Sequence, residues 1–269
     1  MSLILFLSAL ILLPVITNAT EVIRVPEHFS SIQEAIDHAN TGDTVFVGEG
    51  VYRESVTLRE SIHLLGASPE LSIIRGNIVN PVVRGANGAT LRNFTIENGN
   101  VGILAENISM VIEYCTIRDN KGSGIQCIIS LPDIRNNLIY RNEWSGIFCE
   151  SVRAHRNAIE NNVIAENGYS GVMLSGSTEI LIRNNQFSKN KQYGIWASEQ
   201  SRRSRIITNN FFDNRTSHNT FARLDNSNIS ETPQFSLGKD EVPGFWSSET
   251  AFHNPVAANG TQIGIIRPE

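Results

Sequence analysis

Three groups of side chains sit at spacings that suggest chemistry. Asp119, Arg141 and Glu166 fall at one phase of a recurring pattern. If each recurrence is a step of one β-strand spacing, the two carboxylates stand about 9.6 Å apart with a cation between them. That lies near the upper end of the separation used by inverting glycosidases, which leave room for a water between acid and base. A second group, Trp144, Phe148, Tyr169, Tyr193 and Trp196, recurs at neighbouring phases. Flat rings of this kind pack against the apolar faces of pyranose rings. The third group is basic: Arg153, His155 and Arg156, then Arg202, Arg203 and Arg205 two repeats later, on a chain of formal charge −5. Arginine forks hold carboxylates and sulfates. His155 is the side chain in this set whose proton moves near neutral pH, which makes it the candidate general acid or base.

Each group also has a plainer reading. The carboxylate column reads Glu97, Asp119, Arg141, Glu166, Lys189, Asp213. Its unbroken alternation of sign from Asp119 onward favours a salt-bridge ladder that fixes register. A second column, Glu113, Arg135, Glu160, Arg183, alternates in the same way. An exposed aromatic patch needs a cover or a ligand, and the C-terminal tail is the candidate cover. The arginine corner reads equally as a solvated loop.

The elements that must position these groups follow from an internal repeat. The stretches beginning at Arg135, Glu160 and Arg183 share the form N-x-(I/F)-x-x-N-x-x-x-G-(I/V). The second Asn falls at 98, 120, 142, 167, 190 and 214, and a Gly follows four residues after it at 102, 124, 146, 171 and 194. A third series, Ile112, Ile134, Ile159, Ile182 and Ile206, keeps step with both. Three phase-locked series with a period in the low twenties mean a solenoid. Asn, Gly and β-branched residues form helices poorly, and a leucine skeleton is missing, so short strands joined by Asn and Gly corners are expected: an all-β parallel β-helix. Asn tolerates left-handed backbone angles and can turn a corner. Stacked Asn side chains can bond to one another and to backbone, and the Gly is expected at another left-handed corner. Alternation places Ile103, Ile125, Ile147, Val172 and Ile195 inward, and Leu104, Gln126, Phe148, Met173 and Trp196 outward.

These rungs resemble the right-handed parallel β-helix of the pectate-lyase-like superfamily. "SIQEAI", "GDTVFV" and "GVYRE" near the N-terminus resemble the entry segment of exported proteins of that kind. The resemblance implies a helical lid over the first turn, and Ser31 with Glu34 reads as a capping box for it. It also implies a polysaccharide or cell-surface glycan as partner. The activities it spans include lyases, hydrolases, esterases and epimerases, and adhesin and maturation roles such as that of the nitrous-oxide-reductase maturation family, whose repeat type is similar. Calcium enters by this resemblance alone, since pectate-lyase-type enzymes hold it with clustered acids beside an arginine. Here only Glu97 and Asp119 are like-signed neighbours, too few oxygen donors for the ion, and no cofactor is otherwise evident. The paired-Asp motif of β-helix hydrolases and the "DPHD"-like motif of uronate epimerases are missing.

The bulk properties fit this reading. The composition, 41% hydrophobic and 18% charged, supports a core. The acidic balance and the lack of a reading motif argue against nucleic acid. Residues 1–19 read as a signal peptide: the apolar run from Leu3 to Ile16 is short for a membrane span and precedes small residues. Export to the periplasm or beyond is expected, with no membrane span after cleavage. Residues 20–75 are expected as cap and first rungs, 76–215 as β-helix repeats, and 216–269 as an irregular tail packing on the solenoid. Cys127 and Cys149 are expected as two buried thiols one rung apart, and Cys115 stands where later rungs carry Asn137, Asn162 and Asn185.

Overall fold

A computed structural model describes residues 20–233, apart from the His155 side chain. The leader at 1–19 and residues 234–269 lie outside the described residues. The chain winds as a parallel β-helix with three sheets of nine, eight and eight strands, each strand pairing with its counterparts one turn before and one turn after. One turn runs through Val111–Glu113 in sheet I, Thr116–Arg118 in sheet II and Ile125–Ile128 in sheet III. Inward columns stack in register: Ile96, Ile117, Ile139, Ile164, Phe187 and Phe211 in sheet II, and Ile103, Ile125, Ile147, Val172 and Ile195 in sheet III. All are buried. Phe187 and Phe211 continue the isoleucine column as parallel rings with centroids 4.9 Å apart.

Two asparagine ladders bracket sheet II. In the first, Asn137, Asn162, Asn185, Asn209 and Asn228 each sit one rung above the last. The amide of Asn162 donates to Asn185 Oδ1 at 3.0 Å, and the same oxygen accepts the Asn162 backbone N–H at 3.0 Å. Asn137, Asn185 and Asn209 repeat both bonds. In the second, Asn120, Asn142, Asn167, Asn190 and Asn214 do the same. Each amide thereby satisfies turn groups that water cannot reach. Cys115 ends the first ladder: its N–H donates to Asn137 Oδ1 at 3.0 Å and its thiol to Glu113 O at 3.3 Å. Wherever both ladders are present the two asparagines of a rung are five residues apart, so the variation in rung length falls elsewhere.

Several expectations are corrected. The left-handed residue at the first corner is the one before the ladder Asn, and at the second corner it is Asp119, Arg141, Glu166, Lys189 or Asp213. The recurring glycines have ordinary φ; they are required by crowding. A Cβ on Gly146 would lie 2.7 Å from Gly171 O and 2.9 Å from Asn167 Nδ2. Glu97 pairs in register with Arg118, not Asp119, because Gly99 takes the ladder position there. Part of the stretch expected as an irregular tail continues the solenoid. Thr216–His218 is a strand of sheet III, bridges follow at Leu224 and Ile229, and Asn228 extends the first ladder.

The lid is present as helix α1 (Ile32–His38), which buries Ile32, Ala35 and Ile36. Only half of the capping box forms. Ser31 Oγ accepts the Glu34 N–H, but the Glu34 carboxylate turns to Ser30. The carboxylate of Glu54, one turn later, accepts the Ile32 and Gln33 N–H groups at 2.9 and 3.0 Å. Among the described residues no helix is long and apolar enough to cross a membrane.

Candidate functional site

Sheet III carries the aromatic groups. The outward column runs Arg84, Leu104, Gln126, Phe148, Met173, Trp196 in register. Strand alternation forces these side chains out, since their neighbours fill the core. Trp144, at the corner leading into the sheet, lies over Phe148 with ring centroids 5.1 Å apart. Trp144 stays 40% exposed while Phe148 is nearly covered. Tyr169 sits one rung above Trp144, its N–H donating to Trp144 O at 2.7 Å. Its ring meets that of Tyr193 edge-on at 6.1 Å. The five rings singled out from sequence are thus brought into one strip over three rungs, half-exposed along Tyr169, Tyr193, Met173 and Trp196. Pairing with the neighbouring turns fixes the backbone of the strands that carry Phe148, Met173, Tyr193 and Trp196.

The arginine corner is also assembled, in altered form. Arg153 pairs in register with Glu179 across an irregularity between Arg153 and Ala158. Arg153, Arg202 and Arg203 line a cavity of about 530 Å³ with Ser177, Glu179, Glu199 and Gln200. Arg156 is exposed and does not line it; the His155 side chain lies outside what is described. Glu179 and Glu199 were missed as members of the corner, which is therefore mixed in charge. The longer rung at 151–157 breaks the repeat at that point, so periodicity could not place Glu179 opposite Arg153. The cavity opens where the strands of sheet III end, at Ser175 and Ala197.

Asp119, Arg141 and Glu166 do form one corner column, two rungs from end to end. Asp119 is bound on two sides, 3.3 Å from Arg118 and 3.3 Å from Arg141. Glu97, buried, is gripped by Arg75 at 2.5 Å and Arg118 at 2.8 Å. The two carboxylates offered for calcium are thus each neutralised by arginines and stand in different columns, so they do not fit the ion. Among the described residues no cluster of three or more His, Cys, Asp or Glu could hold a metal. On sheet I the expected column pairs at two of its three steps, Glu113–Arg135 at 2.9 Å and Glu160–Arg183 at 2.6 Å, while Arg135 turns to Asp133 and Arg92 joins Glu113 from below at 3.5 Å.

Residues 78–235 match the family described as the right handed beta helix region. Among solved structures, the alginate lyase from Paenibacillus sp. str. FPU-7 superposes with a TM-score of 0.57 at 16% identity, covering 72% of this chain and 77% of that one. The A-module of the Azotobacter vinelandii mannuronan C-5 epimerase AlgE4 gives 0.51 at 19% identity, covering 69% and 67%. At these identities the likeness is one of fold. Among curated proteins, none matches the sequence.

Proposed function

We propose, for a chain that belongs to the right-handed β-helix family, that sheet III is the binding face for a polysaccharide. The observation that carries this reading is the strip of Trp144, Tyr169, Tyr193 and Trp196, open to solvent and backed by the buried Phe148, with Met173 in the same column. Rings spaced by the strand repeat present successive flat apolar surfaces to a linear polymer of rings. The names of two structures of like fold, an alginate lyase and a mannuronan epimerase, agree with polysaccharide as the ligand class. The cavity at the end of the face adds Arg153, Arg202 and Arg203 as partners for an acidic group on the chain. The role is binding rather than turnover, in an exported protein. Asp119, one acid of the proposed pair, is engaged by two arginines, Arg118 and Arg141.

The test is affinity electrophoresis and calorimetry against a panel of acidic and neutral polysaccharides. Wild type should bind at least one polymer. Trp196→Ala should weaken that binding at least about tenfold with the far-UV circular dichroism unchanged. Failure of the wild type to bind any acidic or neutral polymer overturns the reading. Appearance of unsaturated or reducing ends on the bound polymer replaces it with a lyase or hydrolase.

A further inference from the structure

The outward face of sheet II is sealed, and the described residues supply only part of the seal: Arg141 lies over the Tyr140 ring, 4.7 Å from its centroid, and Glu231 lies against Asn210. The outward column of sheet II reads Thr95, Thr116, Leu138, Val163, Gln186, Asn210. Two residues along each strand lies a second outward column, Tyr140, Ala165, Ser188. From Leu138 to Asn210 these side chains are 0–3% exposed. Stacking in a flat column does not achieve this by itself. The equivalent columns of sheets I and III, made by the same strands-in-register geometry, remain half-open at Thr90, Val111, Asp133 and Leu181, and at Leu104, Gln126, Met173 and Trp196. Only the lower end of the sheet II column opens: Ile73 is half-buried and Val51 is 46% exposed. At that lower end the Pro69 carbonyl accepts from Thr95 Oγ1 at 2.6 Å, and Pro69, Glu70 and Arg118 flank Thr95 and Thr116.

The chain itself supplies the direction of the cover. After Asn228 it bridges to Asn210 at Ile229. It then turns outward. The Asn210 side chain, at the top of the sealed column, donates to Glu231 O and accepts from Glu231 N, both at 2.8 Å. Glu231 therefore already lies on the outer side of sheet II, and the chain continues from there. From Asn210 down to Thr116 is four rungs, about 19 Å, which about six extended residues span. The sequence beyond Pro233 is longer than that and carries Phe235, Leu237, Val242, Phe245 and Trp246, apolar matter to match Leu138 and Val163. Val22–Val25, near the start of the described chain, lies at the opposite end of the solenoid.

We propose that the segment following Pro233 straps down the outer face of sheet II from Asn210 toward Thr116, and so occupies sheet II rather than the aromatic face of sheet III. The buried outward column then needs no second protein. The sealed face and the open face become the two sides of one arrangement, in which the chain's own end takes the apolar sheet and leaves the rings of sheet III to solvent.

The experiment uses the full chain with a diazirine-bearing aliphatic amino acid in place of Val163 and, separately, of Ser188, irradiated and mapped by peptide mass spectrometry. A third chain carries the group at Gln126 on sheet III. The expected result is intramolecular cross-linking from positions 163 and 188 to peptides within 234–269, at least tenfold above that from position 126. Mixing isotopically heavy and light chains identifies intermolecular products. Cross-links from 163 and 188 to a second copy, to peptides within 20–233, or to solvent alone overturn the proposal, as does stronger capture of 234–269 from position 126. Should the Val163 chain fail to fold, the Ser188 chain carries the test, since its small side chain is the easier to replace.

Discussion

Asn162 shows what a single residue does in this protein. Its amide donates to Ile134 O, Glu160 O and Asn185 Oδ1, and its oxygen takes the N–H and the amide of Asn137. Asn162→Leu removes all of these and strands buried donors and acceptors, so a loss of about 2–4 kcal/mol in urea unfolding is expected. Cys115 marks the same ladder's lower end, and burial pushes its thiol up to about 12. A raised thiol pKa adds stability below the unfolded value of about 9 and loses it as pH climbs through the folded value. Native protein should therefore leave Cys115 unreactive to a thiol reagent at pH 8, with reaction only after unfolding. The ladder was legible because Asn recurs at fixed phase. The left-handed position beside it was not, since Tyr114, Asn136, Asn161, Asn184 and Thr208 occupy it in turn. The corner conformation there is imposed by the stack, not by the residue. Aromatic positions were legible through strict alternation, which tells outward from inward without any tertiary information.

Elements add constraints that single residues do not reveal. The corner into sheet III is crowded from the rung above, so Gly146→Ala should cost several kcal/mol or abolish soluble expression. Gly88, whose added Cβ would meet mainly the mobile hydroxyl of Ser61, is limited instead by its left-handed φ. The first turn depends on Asp43, whose carboxylate accepts the Glu21 and Asn40 N–H groups at 2.8 and 2.7 Å. Those bonds hold its pKa below the ordinary 3.8. A depressed carboxyl contributes stability above its unfolded pKa and loses it as pH falls through the folded one. The acid limb of a stability–pH curve, below about pH 4, should flatten in Asp43→Asn. Register was readable only where rungs are equal in length. Rung 95–102 is short by one residue, which moved Glu97 opposite Arg118, and the long rung at 151–157 hid Glu179 behind Arg153.

At the scale of the molecule, a solenoid must finish at both ends. Side-chain amides stand in for missing strands at each. At the bottom, Gln33 of α1 donates to Thr57 O and accepts from Thr57 N, the open edge of sheet III. At the top, Asn219 does the same for Ala197. Arg59 then pins the end of α1 by donating to Ile36 O, Asp37 O and Ala39 O. Ile36→Glu should dislodge the lid and expose apolar rung surface and strand edge. Its expected signature is concentration-dependent oligomers in light scattering, absent from the wild type. Sequence announced the lid through its apolar face and its Ser31 cap, but the partners that fix it come from the following turn, beyond any local pattern.

The fixed five-residue span between the two asparagine ladders has a consequence for where the chain tolerates change. Because that span never changes length, sheet II and its corners act as a chassis. The stretch between sheets III and I absorbs additions, three residues more at 151–157 and a short helical turn at Glu199–Ser201, while both ladders run on undisturbed. New loops can be grafted there without renegotiating the fold, and that is where the arginine-lined cavity lies. Extra residues at that corner leave the ladders and the core columns in register.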